Sequence, residues 1–495
     1  IGSLPFLYLY NSDNPSEGTI AKRRGSAVIV DHMQTVMAPT GTYGALRELE
    51  DRISEYRKFR DSDRAKAHAL EHEIIDLVRQ ANLEQDVGLA GAGMDFDRIL
   101  DGIHRILSGI TQTRIPEGMH IFGSVPERER QARFIATTLN HDGRVHSLLS
   151  GLMGLDEKIA DSEIALLRVL DCFGEELVGT ILSGTDPVDA AGQVLGDRLV
   201  HKDTDGLELF AGLVRDLAGR MDSSDEIGSL ANGMAGGYIP PGPSGLISRG
   251  KTEILPTGRN LYSLDPRAVP TPAAWTVGRR LAELTVEKYR AEQGVFPENI
   301  ALIWMASDIM WADGEQFAQI LALIGVEPVW EHGRLKTFRV IPPQELGRPR
   351  IDVTVRISGI LRDCFYQCIE LLDDALAMVA TLDEPESINF IRKHTGPGEN
   401  PRIFGAPKGT YGMGVNLAVY ASAWEGVEDL ADIFIYWNGF AYGRGKFGDE
   451  ARAGFIAQLG TVDLTFNKTA TDEYDLLGCC CYFGSHGGMT AAARS

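Results

Sequence analysis

The residues best suited to chemistry lie in DLLGCCCYFGSHGGMTAAARS (475–495), where Cys479, Cys480 and Cys481 are followed by His486 in a Gly/Ser setting. Small neighbours let the backbone approach a flat ligand and leave an imidazole accessible. An imidazole titrating near neutrality can take a proton or hold a divalent ion loosely. A structural histidine bonded within a loop is the other reading. Cys364 and Cys368 form an i,i+4 pair, so five thiols could in principle surround a metal. No C-x-x-C spacing supports a zinc or iron–sulfur site, and buried, inert thiols are expected.

Further polar candidates follow apolar runs. Asp31 and His32 follow VIV, and Asp308 follows IWM with Glu315 in the next helix. Arg356 and Arg362 bracket the SGI turn, and Asp363 is placed to cap the helix after it. Open α/β sheets gather ligands at such strand ends. Each residue also has a structural reading, as a helix cap or a loop bond. FGSVPERER lacks the Lys-Ser/Thr of a phosphate cradle, so this chain is not expected to bind ATP.

The elements that must position these residues follow from pattern. A chain of 495 residues exceeds one ordinary core and implies two to four domains. With 44% apolar and 24% charged residues, most of it should be globular. A net charge of −21 repels nucleic acid. ALIWMASDIMW (301–311) is too short to span a bilayer and contains Asp308, so no integral membrane segment is expected. IGSLPFLYLYNSDN has no basic region or cleavage site of a secretory signal. Six cysteines form no secreted framework, which points to the cytoplasm.

PFLYLYN (5–11) and SAVIVDH (26–32) read as strands joined by a polar, basic link. From Tyr43 the period turns helical through Leu46, Leu49, Ile53 and Tyr56, then Leu70, Ile74 and Val78, which predicts a protruding helical hairpin at 43–80. Residues 119–139 read as strand, glycine turn and helix, and 160–235 as amphipathic helix. Beyond the Gly/Pro-rich 233–245, helix 274–293, strand NIALIWM, helix 314–325, strand VEPVW, strand 350–358 and helix 363–382 predict a mostly parallel sheet covered on both faces. The fold class is therefore multidomain α/β with flanking helices. The expected domains are 1–250 and 256–495, the latter ending in a glycine-rich region.

YNSDNPSEGTIAKRRGSAVIVDH, GGYIPPGPSGLISRG, LPTGRNLYSLDP, RIDVTVRISGILRDCF, GTYGMGVNLAV and the closing HGGM closely resemble the large subunit of the cobalt/magnesium chelatases. That family includes the aerobic cobaltochelatase large subunit and the magnesium chelatase H subunit. The resemblance implies a tetrapyrrole-binding subunit of an ATP-dependent chelatase, closest to the cobalt branch. Cobalt would enter a corrin precursor, hydrogenobyrinic acid a,c-diamide. Magnesium insertion into protoporphyrin IX, or a non-catalytic tetrapyrrole-binding scaffold, are the alternatives. ATP and Mg2+ would be used by a separate AAA+ ATPase subunit, aided by an integrin-like-domain subunit. Metal entry expels two pyrrolic protons, for which His486, Glu315 and His32 are the expected acceptors, with His486 also meeting the metal. Arg259, Asn260, Arg356, Arg362 and Asn416 are the expected donors to the macrocycle's side chains. The family's HGALEW motif is absent, so the chain reads as the later part of a longer subunit, inactive alone. GCCCYFGS also replaces the acidic, tyrosine-rich residues typical before HGGM in the cobalt branch.

Overall fold

The computed structural model of the chain describes residues 6–35, 37–39, 42, 44–89, 96–112, 114–116, 118–155, 164–395, 400–469 and 482–495. Two compact units form: Ile1–His32 with Asp225–Ser495, and Met33–Ser224. The expected division near residue 250 is thus replaced by one unit made of both ends of the chain and a second inserted between them.

In the first unit, β1 (Leu7–Asn11) and β2 (Val28–His32) pair in parallel. The polar link between them, given no element above, is the helix Pro15–Gly25. Asn14 caps it, accepting from the Glu17 N–H, and Pro15 opens the first turn. Its buried face is made of small residues, Ser16, Gly18 and Gly25 among them, so no apolar period marks it.

The inserted unit pairs β3 (Met37–Pro39) with β4 (Arg114–Pro116) and is otherwise helical among its described residues. Helices Ala45–Phe59 and Arg64–Gln80 form the expected hairpin. Leu49, Ile53, Leu70, Ile74 and Val78 bury their shared face, with Ile99 and Ile103 of Phe96–Gln112 completing the core. Residues 119–127 hold no strand, contrary to expectation. Met119 and Ile121 are 88% and 71% exposed, so no partner covers them, and helix begins only at Arg128.

The chain returns with β5 (Pro241–Gly242), which pairs in parallel with β6 (Asn260–Leu261). The central sheet then takes in β7 (Asn299–Trp304), β10 (Asp352–Ile357), β11 (Ile403–Gly405), β12 (Phe440–Gly443), β13 (Lys446–Glu450) and β14 (Leu464–Asn467), in the order β13-β12-β11-β10-β7-β14. The four strands from β11 to β14 across β10 and β7 run parallel, and β12 and β13 add an antiparallel edge. Every residue of β7 and β10 is buried, as a sheet covered on both faces requires. On one face Ile300, Leu302, Trp304, Val353 and Val355 meet helices Pro272–Gln293, Glu315–Ile324 and Tyr366–Ala380. On the other, Ala301, Ile303 and Phe404 meet Val427–Asn438, Arg452–Leu459 and Gly488–Arg494. VEPVW lies instead in β8 (Val326–Glu331), hairpinned with β9 (Arg334–Val340) apart from this sheet. His332 and Gly333 turn it with φ of 52° and 74°, the pairing a tight hairpin demands.

The N-terminal strand edge is locked. Buried Asp352 accepts from Arg402 Nε at 2.6 Å and faces His394 Nδ1 at 3.0 Å. The opposite edge is where β7, β10 and β14 end, the position at which open α/β sheets gather ligands.

Candidate functional site

Arg356 of β10 and Asn467 of β14 both stand in register with Ile303 of β7, so the three side chains share one face at the C-terminal edge. His486 sits on that face. It lies in the π-helical turn Phe483–Gly487, which opens the helix Gly488–Arg494. Its Nε2 is 3.2 Å from Oγ1 of Thr465 in β14, and that hydroxyl is 3.0 Å from Thr490 Oγ1. Burial disfavours the imidazolium and holds the His486 pKa below the usual value, so the ring is neutral at pH 7. Nδ1 has no hydrogen-bond partner among the described residues.

The surrounding glycines do different jobs. A Cβ at Gly488 would collide with the Phe434 ring, and one at Gly484 would lie 3.0 Å from Met413 Sδ. Gly488 lets the turn close onto Val427–Asn438, and Gly484 lets it close onto Met413 and Asn416. A Cβ at Gly487 would meet nothing within 4 Å, so open space lies beside His486 there. Cys479, Cys480 and Cys481 lie outside the described residues.

Arg356 fastens this turn. It is 1% exposed and donates to Asn438 Oδ1 at 3.0 Å, Gly412 O at 2.9 Å and Ser485 Oγ at 3.4 Å. Arg362, also 1% exposed, spends its guanidinium on both oxygens of Asp363 and on the carbonyls of Ala406, Pro407 and Thr410. Asp363 is therefore the partner of Arg362; Ser358 caps the helix Gly359–Cys364. Asn416 lies in Val415–Tyr420, its Cβ 3.5 Å from where a side chain on Gly484 would begin.

Beyond Asn467, Lys468 reaches the start of Glu315–Ile324. Its Nζ is 2.9 Å from Glu315 Oε2 and 3.7 Å from Asp308 Oδ1, and Arg249 Nη2 donates to Glu315 Oε1 at 2.9 Å. Glu315 is thus bracketed by two cations. Asp308 is buried and accepts from the N–H groups of Gln316 and Phe317 and from Trp304 Nε1, which makes it the cap of that helix. Burial raises its pKa, against the pull of Lys468 and these donors. Thr465 and Lys468 are three residues apart on one strand end, so β14 links the His486 turn to this charge cluster within about 10 Å. Lys468, Arg249, Thr465 and Asn467 were not singled out from sequence. The signal for three of them was available in LTFNK, polar residues closing an apolar strand.

The other expected residues gather around β2. Asp31 Oδ1 accepts from the N–H groups of Gly258 and Arg259 at 2.8 and 2.7 Å. Asn260 Oδ1 accepts from Ile29 N–H at 3.1 Å, and Arg259 Nη2 donates to the carbonyls of Glu253 and Ile254. The TGRN segment therefore clasps β2 with the groups expected to face a ligand. His32 ends β2, half-buried, its carbonyl accepting from Ser12 N–H at 3.2 Å. Burial pushes the Cys364 thiol up and the Cys368 thiol up to about 12. Both donate to backbone carbonyls, Ser16 and Pro266 respectively. Among the described residues no group of three or more His, Cys, Asp or Glu side chains is placed to hold a metal ion, and no helix is long and apolar enough to cross a membrane.

Comparison with known proteins gives a consistent result. The family model described as CobN/Magnesium Chelatase matches residues 1–495. An uncharacterized protein of Methanocaldococcus jannaschii is 47% identical over 100% of this chain and 41% of its own length. The aerobic cobaltochelatase subunit CobN of Pseudomonas aeruginosa is 32% identical over 100% of this chain and 43% of its own. A solved structure of the catalytic subunit of cobaltochelatase from Mycobacterium tuberculosis superposes with a TM-score of 0.83 at 35% identity, covering 100% of this chain and 43% of that one. The chain thus spans about two fifths of the length of the curated relatives it matches.

Proposed function

Because the chain belongs to the CobN/magnesium chelatase family, we propose that it is the part of a chelatase large subunit that presents a tetrapyrrole to the His486 edge while a divalent metal ion enters the ring. The metal is cobalt and the acceptor a corrin precursor. The single observation that carries this reading is the imidazole of His486, held against Thr465 at the C-terminal edge of the sheet and set beside the open space at Gly487.

The chemistry follows from the residues. Two pyrrolic N–H protons must leave as the metal enters, and a neutral imidazole accepts a proton where an imidazolium cannot. Burial also favours giving that proton up again, which suits turnover. The incoming ion is a substrate that must be held and then released. Imidazole does this better than tightly binding thiolates, and burial keeps Cys364 and Cys368 protonated. Imidazole suits cobalt, whereas magnesium prefers oxygen ligands. Glu315 contributes by fixing Lys468 at the end of β14. ATP is hydrolysed by a separate AAA+ subunit, working with an integrin-like-domain subunit in the cytoplasm.

The test is reconstitution of the full-length subunit with these partners. Co2+ with the corrin precursor and Mg2+ with protoporphyrin IX are supplied in parallel, and the macrocycle's visible spectrum is followed. Cobalt insertion is expected. Magnesium insertion alone would move the assignment to the other branch, and insertion of neither would make the chain a binding scaffold.

A further inference from the structure

A cleft of about 560 Å³ is lined by Arg23, Asp265, Arg267, Arg334, Asp363, Cys364 and Tyr366 among others. Its charge balance is unlike that of the chain, which carries −21 overall. Both acids in it are already spent. Asp265 Oδ1 accepts from Arg267 N–H at 3.0 Å, and its Oδ2 pairs with Arg334 Nε at 2.8 Å. Asp363 is held by Arg362 and by the Tyr411 hydroxyl. Burial alone would raise the Asp363 pKa, but these donors hold it below the usual carboxylate range. Cys364 is neutral. The guanidinium groups of Arg23 and Arg267, both exposed, have no ion pair or hydrogen bond among the described residues. Two uncompensated positive charges therefore face one cleft in a strongly acidic protein.

The arrangement selects among anions. The arginines come from three elements: the last turn of Pro15–Gly25, the turn Pro266–Ala268 and the start of β9. A triphosphate is usually held by clustered backbone N–H groups and a lysine. Guanidinium groups spread around an open cleft suit carboxylates carried at separate points of one ligand. One loop ties this cleft to the His486 turn: the Tyr411 hydroxyl donates to Asp363, while Gly412 O accepts from Arg356, which also reaches Ser485.

We propose that this cleft is an anion-reading subsite, separate from the His486 edge, that takes carboxylates carried at the rim of a planar ligand through Arg23 and Arg267. It rests on the tetrapyrrole reading above and deepens it, since the carboxylates are then the macrocycle's own side chains. The buried arginines named from sequence are occupied by the fold, and these two are not.

The experiment is a fluorescence titration of the full-length subunit with two porphyrins that share a ring, one with four free carboxylates and one with the same groups as neutral amides. The acid form should bind at least tenfold tighter. Arg23→Gln and Arg267→Gln should each weaken it about fivefold, roughly 25-fold together, the scale of exposed ion pairs. Binding of the amide form should not change, and circular dichroism should match wild type. Equal binding of the two porphyrins, or an acid-form affinity untouched by the double substitution, overturns the subsite while leaving the tetrapyrrole reading in place. If neither ring binds, the tetrapyrrole reading fails and the subsite falls with it.

Discussion

Replacing Arg356 by Met should unfold the His486 turn rather than merely weaken ligand binding. The guanidinium is 1% exposed and, among the described residues, makes two hydrogen bonds of normal length, to Asn438 and Gly412, plus a longer one to Ser485. Hydrogen bonds from a charged group contribute about 1.5–3 kcal/mol each, so the two good ones sum to roughly 3–6 kcal/mol. Removing a buried charge recovers part of its desolvation cost. Against that, Asn438, 0% exposed, loses a donor inside the protein. The net loss should be about 3–5 kcal/mol. Urea unfolding of the wild-type and variant proteins measures it. The His486 ring should also become more solvated, so its pKa, followed by NMR, should rise toward the ordinary histidine value. Destabilisation below about 1 kcal/mol with an unmoved imidazole would refute the reasoning and return Arg356 to the ligand-binding role read from sequence.

Two further outcomes follow from the same structure. Gly488→Ala should destabilise by about 1–3 kcal/mol, because its methyl group enters the Phe434 ring, whereas Gly487→Ala should cost less than about 0.5 kcal/mol in thermal melts. Asp31 should make stability pH-dependent. Burial, opposed by the N–H groups of Arg259 and Gly258 and reinforced by Glu226, pushes its pKa up from 3.8 to about 7. The folded protein therefore holds this proton more tightly than the unfolded chain does. The resulting stability is complete below about pH 4 and lost as pH rises through 7, roughly 4 kcal/mol in all. Asp31→Asn keeps the acceptor for Gly258 and Arg259 and should flatten that slope; an unchanged slope would count against the assignment.

The legible parts of the sequence were those written in apolar periodicity. NIALIW and DVTVRI announce buried strands because a sheet covered on both faces leaves no polar alternation. The hairpin at 45–80 shows in its spaced Leu and Ile residues. The helix Pro15–Gly25 was not legible by period, because it packs through small residues; its cap, Asn14-Pro15 with Glu17 following, was the available signal. Arginines were the hardest to read. Nothing local separates Arg356 and Arg362, buried and bound to carbonyls, from Arg23 and Arg267, exposed and without an ion pair among the described residues, since the difference lies in residues over 40 positions away. The two-part first unit was hidden for the same reason: β1 and β2 meet residues 225–261 only in three dimensions.

The account turns on His486, and the most direct measurement is the initial rate of metal insertion by the full-length subunit with the proposed ATPase partners, wild type against His486→Ala. General-base catalysis by a positioned imidazole contributes about 10²–10⁴-fold. The variant should lose insertion on that scale, with melting temperature and circular dichroism unchanged. Insertion within twofold of wild type would contradict the account.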